Sequence, residues 1–319
     1  MSSTEHNITL ERLIEGRKWS ECSHYITLLQ PLWRYGLMSS LTHERLLRKC
    51  NDITEVLRST SGDWSQTLLI ILFRFLGGTQ NRMAAERLAR IVTYQTIMRE
   101  NSSLKSIEAL LLGAAGLLDI YGDDEYVSYL RHEFDHLAAK YDITPMLPSD
   151  WQLSGIYLNN HPTLRIAQIA ACLHNNMITM QNIIECNKRR DIYNLFSGQA
   201  SDYWVMNFLP HSDTTSAARR MGSFKSDIMG INLVVPMKYA YGKFIGSDAM
   251  INSAIQLLEL IPAEVNRYTK VWNSHDNIAK TAIDSQALIQ LSREYCERSR
   301  CAECRLARKL LAMQERATK

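Results

Sequence analysis

Apolar residues recur at helical spacing along nearly the whole chain, and the alternation that is typical of strands is rare. In the segment 42–57 they form one stripe, which predicts a surface helix with Thr42 as its N-cap. The segment 64–76 is apolar nearly all round and is followed by Gly77 and Gly78, which predicts a central helix that ends at the glycines. Further helices are predicted at 81–100, 103–119, 123–141, from about Asp284 to 296, and at 305–314. The predicted fold class is therefore all-α, a multi-helix globular bundle with no substantial sheet.

The helical pattern lapses in the middle of the chain, where Pro145, Pro148 and Pro162 restrict the backbone. We therefore predict an N-terminal helical part at 1–144, an irregular connection at 145–162 and a C-terminal helical part at 163–319 that ends in a cysteine cluster. A single continuous domain is the alternative.

Composition narrows the class of protein. With 319 residues, 46% of them hydrophobic, the chain can bury one large core or two modest ones. Apolar runs stay shorter than the roughly 18 residues that a membrane span needs, so no membrane partner is predicted. The first residues lack the features of a secretory signal, which predicts a cytoplasmic location and hence reduced or metal-bound cysteines.

The sharpest chemical feature is a Cys-x4-Cys-x2-Cys cluster near the C-terminus, formed by Cys296, Cys301 and Cys304. Thiolates at this spacing can share one zinc ion or an iron-sulfur cluster, and Cys22 is the preferred fourth ligand, with His24 as second choice. Four cysteine ligands would close the coordination sphere, which is the structural type of site. Three reduced thiols at a helix end are the alternative. The remaining cysteines lie in helical patterns and are predicted to be small buried side chains: Cys50, Cys172 and Cys186.

Basic residues outnumber acidic ones around this cluster. The net charge of +3 is too small to indicate nucleic-acid binding for the chain as a whole, but a local patch could contact phosphates. A solvated helix face is the alternative. The candidate nucleic-acid-binding residues are Arg298, Arg300, Arg305, Arg308 and Lys309.

A zinc-protease pattern occurs at His132-Glu133-Phe134-Asp135-His136. On a helical wheel both histidines fall opposite the apolar stripe that contains Phe134, so we predict that they face solvent. A zinc metalloprotease is only a remote alternative.

Other polar residues carry a weaker signal. No phosphate-binding loop or nucleophile elbow occurs in the sequence, so no catalytic residue is predicted, and an enzyme acting alone is not expected. Four polar residues beside apolar stripes are predicted to be buried hydrogen-bond partners: Arg165, Gln168, Asp284 and Gln286.

The stretch 282–291, Ala-Ile-Asp-Ser-Gln-Ala-Leu-Ile-Gln-Leu, followed by Glu294-Tyr-Cys296 and Arg300-Cys-Ala-Glu-Cys-Arg305, resembles the C-terminal signature of an uncharacterised bacterial family, domain of unknown function 2851. The segments 106–118, 162–170 and 231–242 agree with it. The resemblance implies a shared fold and a shared cysteine site, without an activity.

Members of that family carry an additional strand-rich N-terminal half with nuclease-like motifs. The resemblance therefore implies that this chain corresponds to the C-terminal helical half, and that a nuclease-like partner protein supplies the other half. The resulting hypothesis is a helical accessory module, held by a cysteine metal site, that binds such a partner or nucleic acid. A purely structural or protein-interaction domain with free thiols is the alternative.

Overall fold

The computed structural model describes residues 19–122, 124–207, 209–210, 220–274 and 276–317. Within these ranges the chain forms helices and no strand, apart from an isolated antiparallel bridge between Pro262 and Thr281. The all-α prediction is confirmed. The α-helices are α1 (Trp19–Ile26), α2 (Pro31–Ser59), α3 (Trp64–Leu76), α4 (Arg82–Ile91), α5 (Tyr94–Arg99), α6 (Leu104–Ala114), α7 (Glu125–Tyr141), α8 (Pro162–His174), α9 (Met180–Glu185), α10 (Arg189–Leu195), α11 (Tyr203–Met206), α12 (Ser223–Met229), α13 (Val235–Ile245), α14 (Asp248–Glu259), α15 (Arg267–Trp272), α16 (Ala282–Leu291) and α17 (Arg305–Ala317).

The chain divides into two compact units. The first combines the two ends of the sequence, Met1–Cys50 and Ile255–Lys319, and the second comprises Asn51–Ala254. The boundaries predicted at 144 and 163 both lie inside the second unit, and that two-part division stays a prediction.

The core of the second unit is built on α6, which packs against α7 and α8. Every residue of α6 from Ile107 to Ala114 is buried. A β-carbon added at Gly113 would lie 2.1 Å from Cγ of Phe134 on α7, so the absence of a side chain lets the two helices approach closely. Helix α8 is buried from Pro162 to Leu173, as expected for a helix surrounded by other elements.

Several predicted helix ends agree with the structure, and others differ for local reasons. Helix α3 has the predicted bounds, with Asp63 as its N-cap. The prediction of Thr42 as an N-cap is wrong, because α2 begins at Pro31, a residue favoured at the first helical position. The Thr42 hydroxyl instead donates to the Ile283 carbonyl at 3.0 Å. The helix predicted at 81–100 is two helices, because Thr93 caps α5.

The connection predicted at 145–162 is irregular, with short 3₁₀ turns at Pro148–Asp150 and Leu158–Asn160. It is nevertheless anchored to the core of the second unit. Its Met146 amide donates to the Ala114 carbonyl at 2.8 Å, and the Trp151 indole donates to the Ala115 carbonyl at 2.8 Å. The prolines thus interrupt the helical pattern without releasing the segment from the core.

The second unit also buries a carboxylate. The side chain of Glu108 is fully buried and accepts hydrogen bonds from the Tyr126 hydroxyl, the Ser201 amide and hydroxyl, and the Trp204 indole. Burial raises the pKa of Glu108, and these four donors oppose the rise.

In the first unit, α1 packs against α15 and α17. The Trp272 indole at the end of α15 is fully buried and donates to the Ser292 hydroxyl at 2.8 Å. Ser292 begins a π-helical turn, Ser292–Cys296, that continues α16. Such turns occur frequently at functional sites. No helix of the described ranges is long and apolar enough to cross a membrane.

Candidate metal centre

The π-helical turn after α16 positions Cys296. Its last hydrogen bond runs from the Glu297 amide to the Ser292 carbonyl at 2.8 Å. The chain then reverses at Ser299, whose φ of 54° lies in the left-handed region, and the Arg300 amide donates to the Tyr295 carbonyl at 2.8 Å. This reversal brings the segment with the next two cysteines back beside Cys296.

Cys301 and Cys304 lie in one turn directly before α17, closed by a 3.1 Å bond from the Cys304 amide to the Cys301 carbonyl. The Cys304 sulfur accepts hydrogen bonds from the backbone amides of Leu306 and Ala307 in the first turn of α17. Amides at a helix N-terminus stabilise a thiolate. These two hydrogen bonds therefore favour the deprotonated form of Cys304, which is the form that binds a metal ion.

Cys22 reaches the same place from the other end of the chain. It lies on α1, which packs against α17, the helix that Cys304 precedes. The Cys22, Cys304 and Cys301 thiols each raise the pKa of Cys296, in addition to the larger effect of burial. Cys22 thus belongs to the same compact unit as the three C-terminal cysteines and acts electrostatically on Cys296, while the shared metal site stays a prediction. His24, the second choice for the fourth ligand, is exposed.

All three C-terminal thiols are stabilised in the neutral form. Burial raises the pKa of Cys296, Cys301 and Cys304, and for Cys296 and Cys304 neighbouring thiols add to this effect. Cys304 is buried, whereas Cys22, Cys296 and Cys301 are partly accessible. Binding of a metal ion would require these thiols to lose their protons, because the thiolate is the ligand.

The four cysteines are close enough to influence one another electrostatically. Nevertheless, no group of three or more Cys, His, Asp or Glu side chains in the described parts of the chain is arranged to hold a metal ion. The type of donor fits zinc or an iron-sulfur cluster, since both bind cysteine sulfur. The other three cysteines, Cys50, Cys172 and Cys186, are buried, as predicted.

Comparison with known protein families matches residues 2–267 to a protein family of unknown function, DUF2851. The chain belongs to this family. The match begins at residue 2, and the narrower prediction, that the chain corresponds only to the C-terminal half of family members, is not supported by it. The matched range includes Cys22 and ends before Cys296. No curated protein and no solved structure matches the chain.

The basic residues around the cysteines of this DUF2851 protein are partly engaged by neighbours. Arg298 pairs with Glu294 at 3.1 Å, and Arg300 pairs with Glu303. The other candidate nucleic-acid contacts lie on α17: Arg305 donates to the Ser40 hydroxyl at 2.8 Å, the Lys309 ammonium lies 5.8 Å from the Trp33 ring centre, and Arg308 is exposed.

A buried polar network between α2 and α16 lies beside the cysteines. Arg45 Nε donates to Gln286 Oε1 at 2.6 Å, and Gln286 Nε2 donates to Glu264 at 3.1 Å. Burial, together with nearby Arg48 and Arg293, lowers the pKa of Arg45 to about 10. The prediction of Gln286 as a buried hydrogen-bond partner is confirmed.

The same network continues to the π-helical turn. Arg48 donates to Gln290 at 2.6 Å and pairs with Glu294. The Tyr295 hydroxyl donates to Glu44 at 3.0 Å. The two residues before Cys296 are thus fixed to α2 by polar contacts, which hold the cysteine segment in place. The predicted hydrogen-bonding role of Asp284 is a capping one, because its carboxylate accepts from the Lys280 and Thr281 amides at 3.0 Å each.

The zinc-protease pattern on α7 does not form a cleft site. His132 and His136 are exposed, as predicted, and Phe134 is buried on the opposite face. Glu133 accepts a 2.7 Å hydrogen bond from the Ser106 hydroxyl. The solvent exposure of His132 and His136 and the hydrogen bond of Glu133 account for these three residues without a bound zinc ion.

Proposed function

We propose that this DUF2851 protein is a helical binding module whose first unit is stabilised by a metal centre on Cys22, Cys296, Cys301 and Cys304. The observation that carries the proposal is that α1, which contains Cys22, packs against α17 next to Cys304, and that Cys22, Cys301 and Cys304 all act electrostatically on Cys296. With four thiolate ligands the centre would be a closed structural site of zinc or an iron-sulfur cluster.

Metal content and visible absorption of anaerobically purified protein test this proposal. We expect about one zinc ion per chain without colour, or iron with sulfur-to-iron absorption bands. Cys301→Ser should abolish the bound metal, whereas Cys172→Ser, a matched change in the second unit, should not. Metal-free folded protein, or equal metal content in both variants, would overturn the centre.

A reduced-thiol interaction domain is the second candidate. It is favoured by the lack of a metal-holding arrangement among the described side chains and by the raised pKa values of the C-terminal thiols. A thiol-reactive dye would then titrate seven reduced cysteines in unfolded, metal-free protein, and in native protein it would reach the partly accessible Cys22, Cys296 and Cys301. If the metal proposal holds, these three cysteines are protected in native, metal-loaded protein and become reactive once a chelator has removed the metal.

The partner proposed for the module is nucleic acid or a nuclease-like protein, following the family resemblance and the exposed basic residues of α17. The assay is fluorescence anisotropy with a labelled single-stranded oligonucleotide at several salt concentrations. Arg308→Ala should weaken binding and reduce the salt slope by about one. Arg99→Ala, at an exposed arginine of the second unit, is the control and should leave both unchanged. Equal effects of the two changes would remove α17 as the contact face.

A further inference from the structure

A cavity in the second unit lies where α3, α8 and α12 meet the irregular connection. Its volume is about 190 Å³. Its lining includes Asn160, Lys225 and Pro162 at the start of α8. Other lining residues come from the end of α3 and the following turn, residues 76–81, and from the irregular connection, where Trp151 and Ile156 line the cavity.

A buried cation lies behind Asn160. Arg165 is only 7% exposed. Its guanidinium donates to Gln168 at 2.8 Å and to Asn160 at 3.1 Å, so Asn160 connects it to the cavity lining. These contacts confirm the predicted role of Arg165 as a buried hydrogen-bond partner. Because both acceptors are neutral amides, they do not neutralise the charge of the guanidinium.

The arginine also retains unused hydrogen-bonding capacity. Its Nε is buried and has no hydrogen-bond partner among the residues that the structure describes. A guanidinium has five N–H donors, and a buried donor without an acceptor costs about 1–3 kcal/mol. Such groups are few in native proteins, and a bound ion is one of the explanations for them.

Lys225 adds a second positive charge beside the first. It is half-buried on α12, and its pKa falls to about 8 because of burial and then repulsion by Arg165. No ion pair joins Arg165 or Lys225 to a carboxylate in the parts of the chain that the structure describes. The neighbouring His161 adds no charge at neutral pH, because burial lowers its pKa to about 4.

We propose that this cavity binds a phosphate group of a small phosphorylated molecule, held by Lys225 and Asn160, with Arg165 adding positive charge from behind Asn160. A dianion would neutralise both cations, whereas a carboxylate would neutralise one. The start of α8, where Pro162 lines the cavity, adds the positive end of a helix dipole. The volume is below the roughly 300–1,000 Å³ of drug-sized pockets, which restricts the ligand to a small metabolite.

Isothermal titration calorimetry with inorganic phosphate, at constant ionic strength and with acetate as comparison, tests the proposal on the full chain. Wild-type protein should bind phosphate in a saturable manner and acetate much more weakly. Lys225→Met should weaken phosphate binding by about ten- to a hundredfold, the effect of losing a charge-assisted hydrogen bond. Lys243→Met, at an exposed lysine of the same unit, should bind as wild type does.

Thermal denaturation supplies a second measurement. Without phosphate, Lys225→Met should melt at or above the wild-type temperature, because it removes a cation repelled by Arg165. Phosphate should raise the melting temperature of the wild type and Lys243→Met, but not of Lys225→Met. If Arg165→Met fails to fold, Lys225→Met still decides the question. Absence of wild-type phosphate binding, equal binding of acetate, or unchanged binding by Lys225→Met would each overturn the proposal.

Discussion

Replacing Cys22 by serine separates the candidate metal centre from the rest of the fold most cleanly. Cys22 is the ligand contributed by α1, whereas the other three lie within one short C-terminal segment. Cys22→Ser would therefore remove the connection between the two ends of the first unit and leave the other three thiols in place. Helix α1 has eight residues, too few to be stable alone, so its order depends on its contacts with α15, α17 and the centre.

The size of the effect follows from the loop that the centre would close. A covalent link across a 100-residue loop stabilises a fold by about 4.7 kcal/mol in the chain-entropy treatment, and the dependence on length is weak. The segment between Cys22 and Cys296 is more than twice that length. Removal of the metal should therefore cost the wild type up to about 5 kcal/mol more than it costs Cys22→Ser, in which only the short loops within 296–304 remain.

Hydrogen exchange measured by mass spectrometry reports this difference in stability for individual helices of the protein. In the metal-loaded wild type the amides of α1 should be protected, and treatment with a chelator should bring their exchange to the rate seen in Cys22→Ser. Peptides from α6 in the second unit serve as the internal reference and should not change. Identical α1 exchange before and after chelation, in protein shown to lose its metal, would refute the linking role of Cys22.

Three further predictions, measured by denaturation, concern the second unit, with Gly36 of the first unit as a control in one of them. Gly113→Ala places a β-carbon 2.1 Å from the Phe134 ring and should lower the free energy of unfolding by about 1–3 kcal/mol. Gly36→Ala meets nothing within 4 Å and should raise the free energy of unfolding by up to about 1 kcal/mol. Equal effects of the two substitutions would contradict the packing argument. Because burial raises the pKa of Glu108 above 4.5 in the folded protein, the free energy of unfolding should decrease as the pH rises from 4.5 through the folded-state pKa. Glu108→Gln should reduce this dependence of stability on pH. The pKa of His161, lowered from 6.5 to about 4, means that stability falls as pH drops through this range, by about 3 kcal/mol; His161→Asn should remove the loss, and a persistent slope would assign it elsewhere.

The helices were predictable because burial imposes a 3.6-residue period on the sequence, and their ends were predictable where the sequence contains a strong signal. The segment 64–76 is preceded by Asp63 and followed by Gly77, and the helix in the structure has the predicted bounds. The start of α2 was missed because its first turns, from Pro31, expose Leu32 and Tyr35 and so lack a clear stripe. Without that stripe the pattern favours Thr42 as the N-cap, whereas its hydroxyl makes a tertiary contact in the structure.

The cysteine metal site stays a prediction from spacing and chemistry, which rests on the tendency of a Cys-x2-Cys turn to bring two sulfurs together. The polar network beside it could not be predicted in full. The pattern indicates that Gln286 is buried, but its partner Arg45 lies on a helix far away in sequence. The period of apolar residues shows which face of a helix is buried, and it does not show which other helix packs against that face. Lys225 carried no sequence signal, because its placement at a cavity depends on three separate elements.

The two candidate sites differ in how strongly the ligand-free chain indicates a ligand. A buried thiol avoids the cost of desolvation by remaining protonated, and the raised pKa values of Cys296, Cys301 and Cys304 show this response. Four grouped thiols are therefore tolerable without a metal. Arg165 cannot respond in this way, because its pKa of about 10 leaves it charged at neutral pH, with Nε unpaired among the described residues and a second cation beside it. A bound phosphate would offset this cost, which titration does not relieve, and the ligand-free chain therefore gives a stronger physical argument for the phosphate site than for the metal centre.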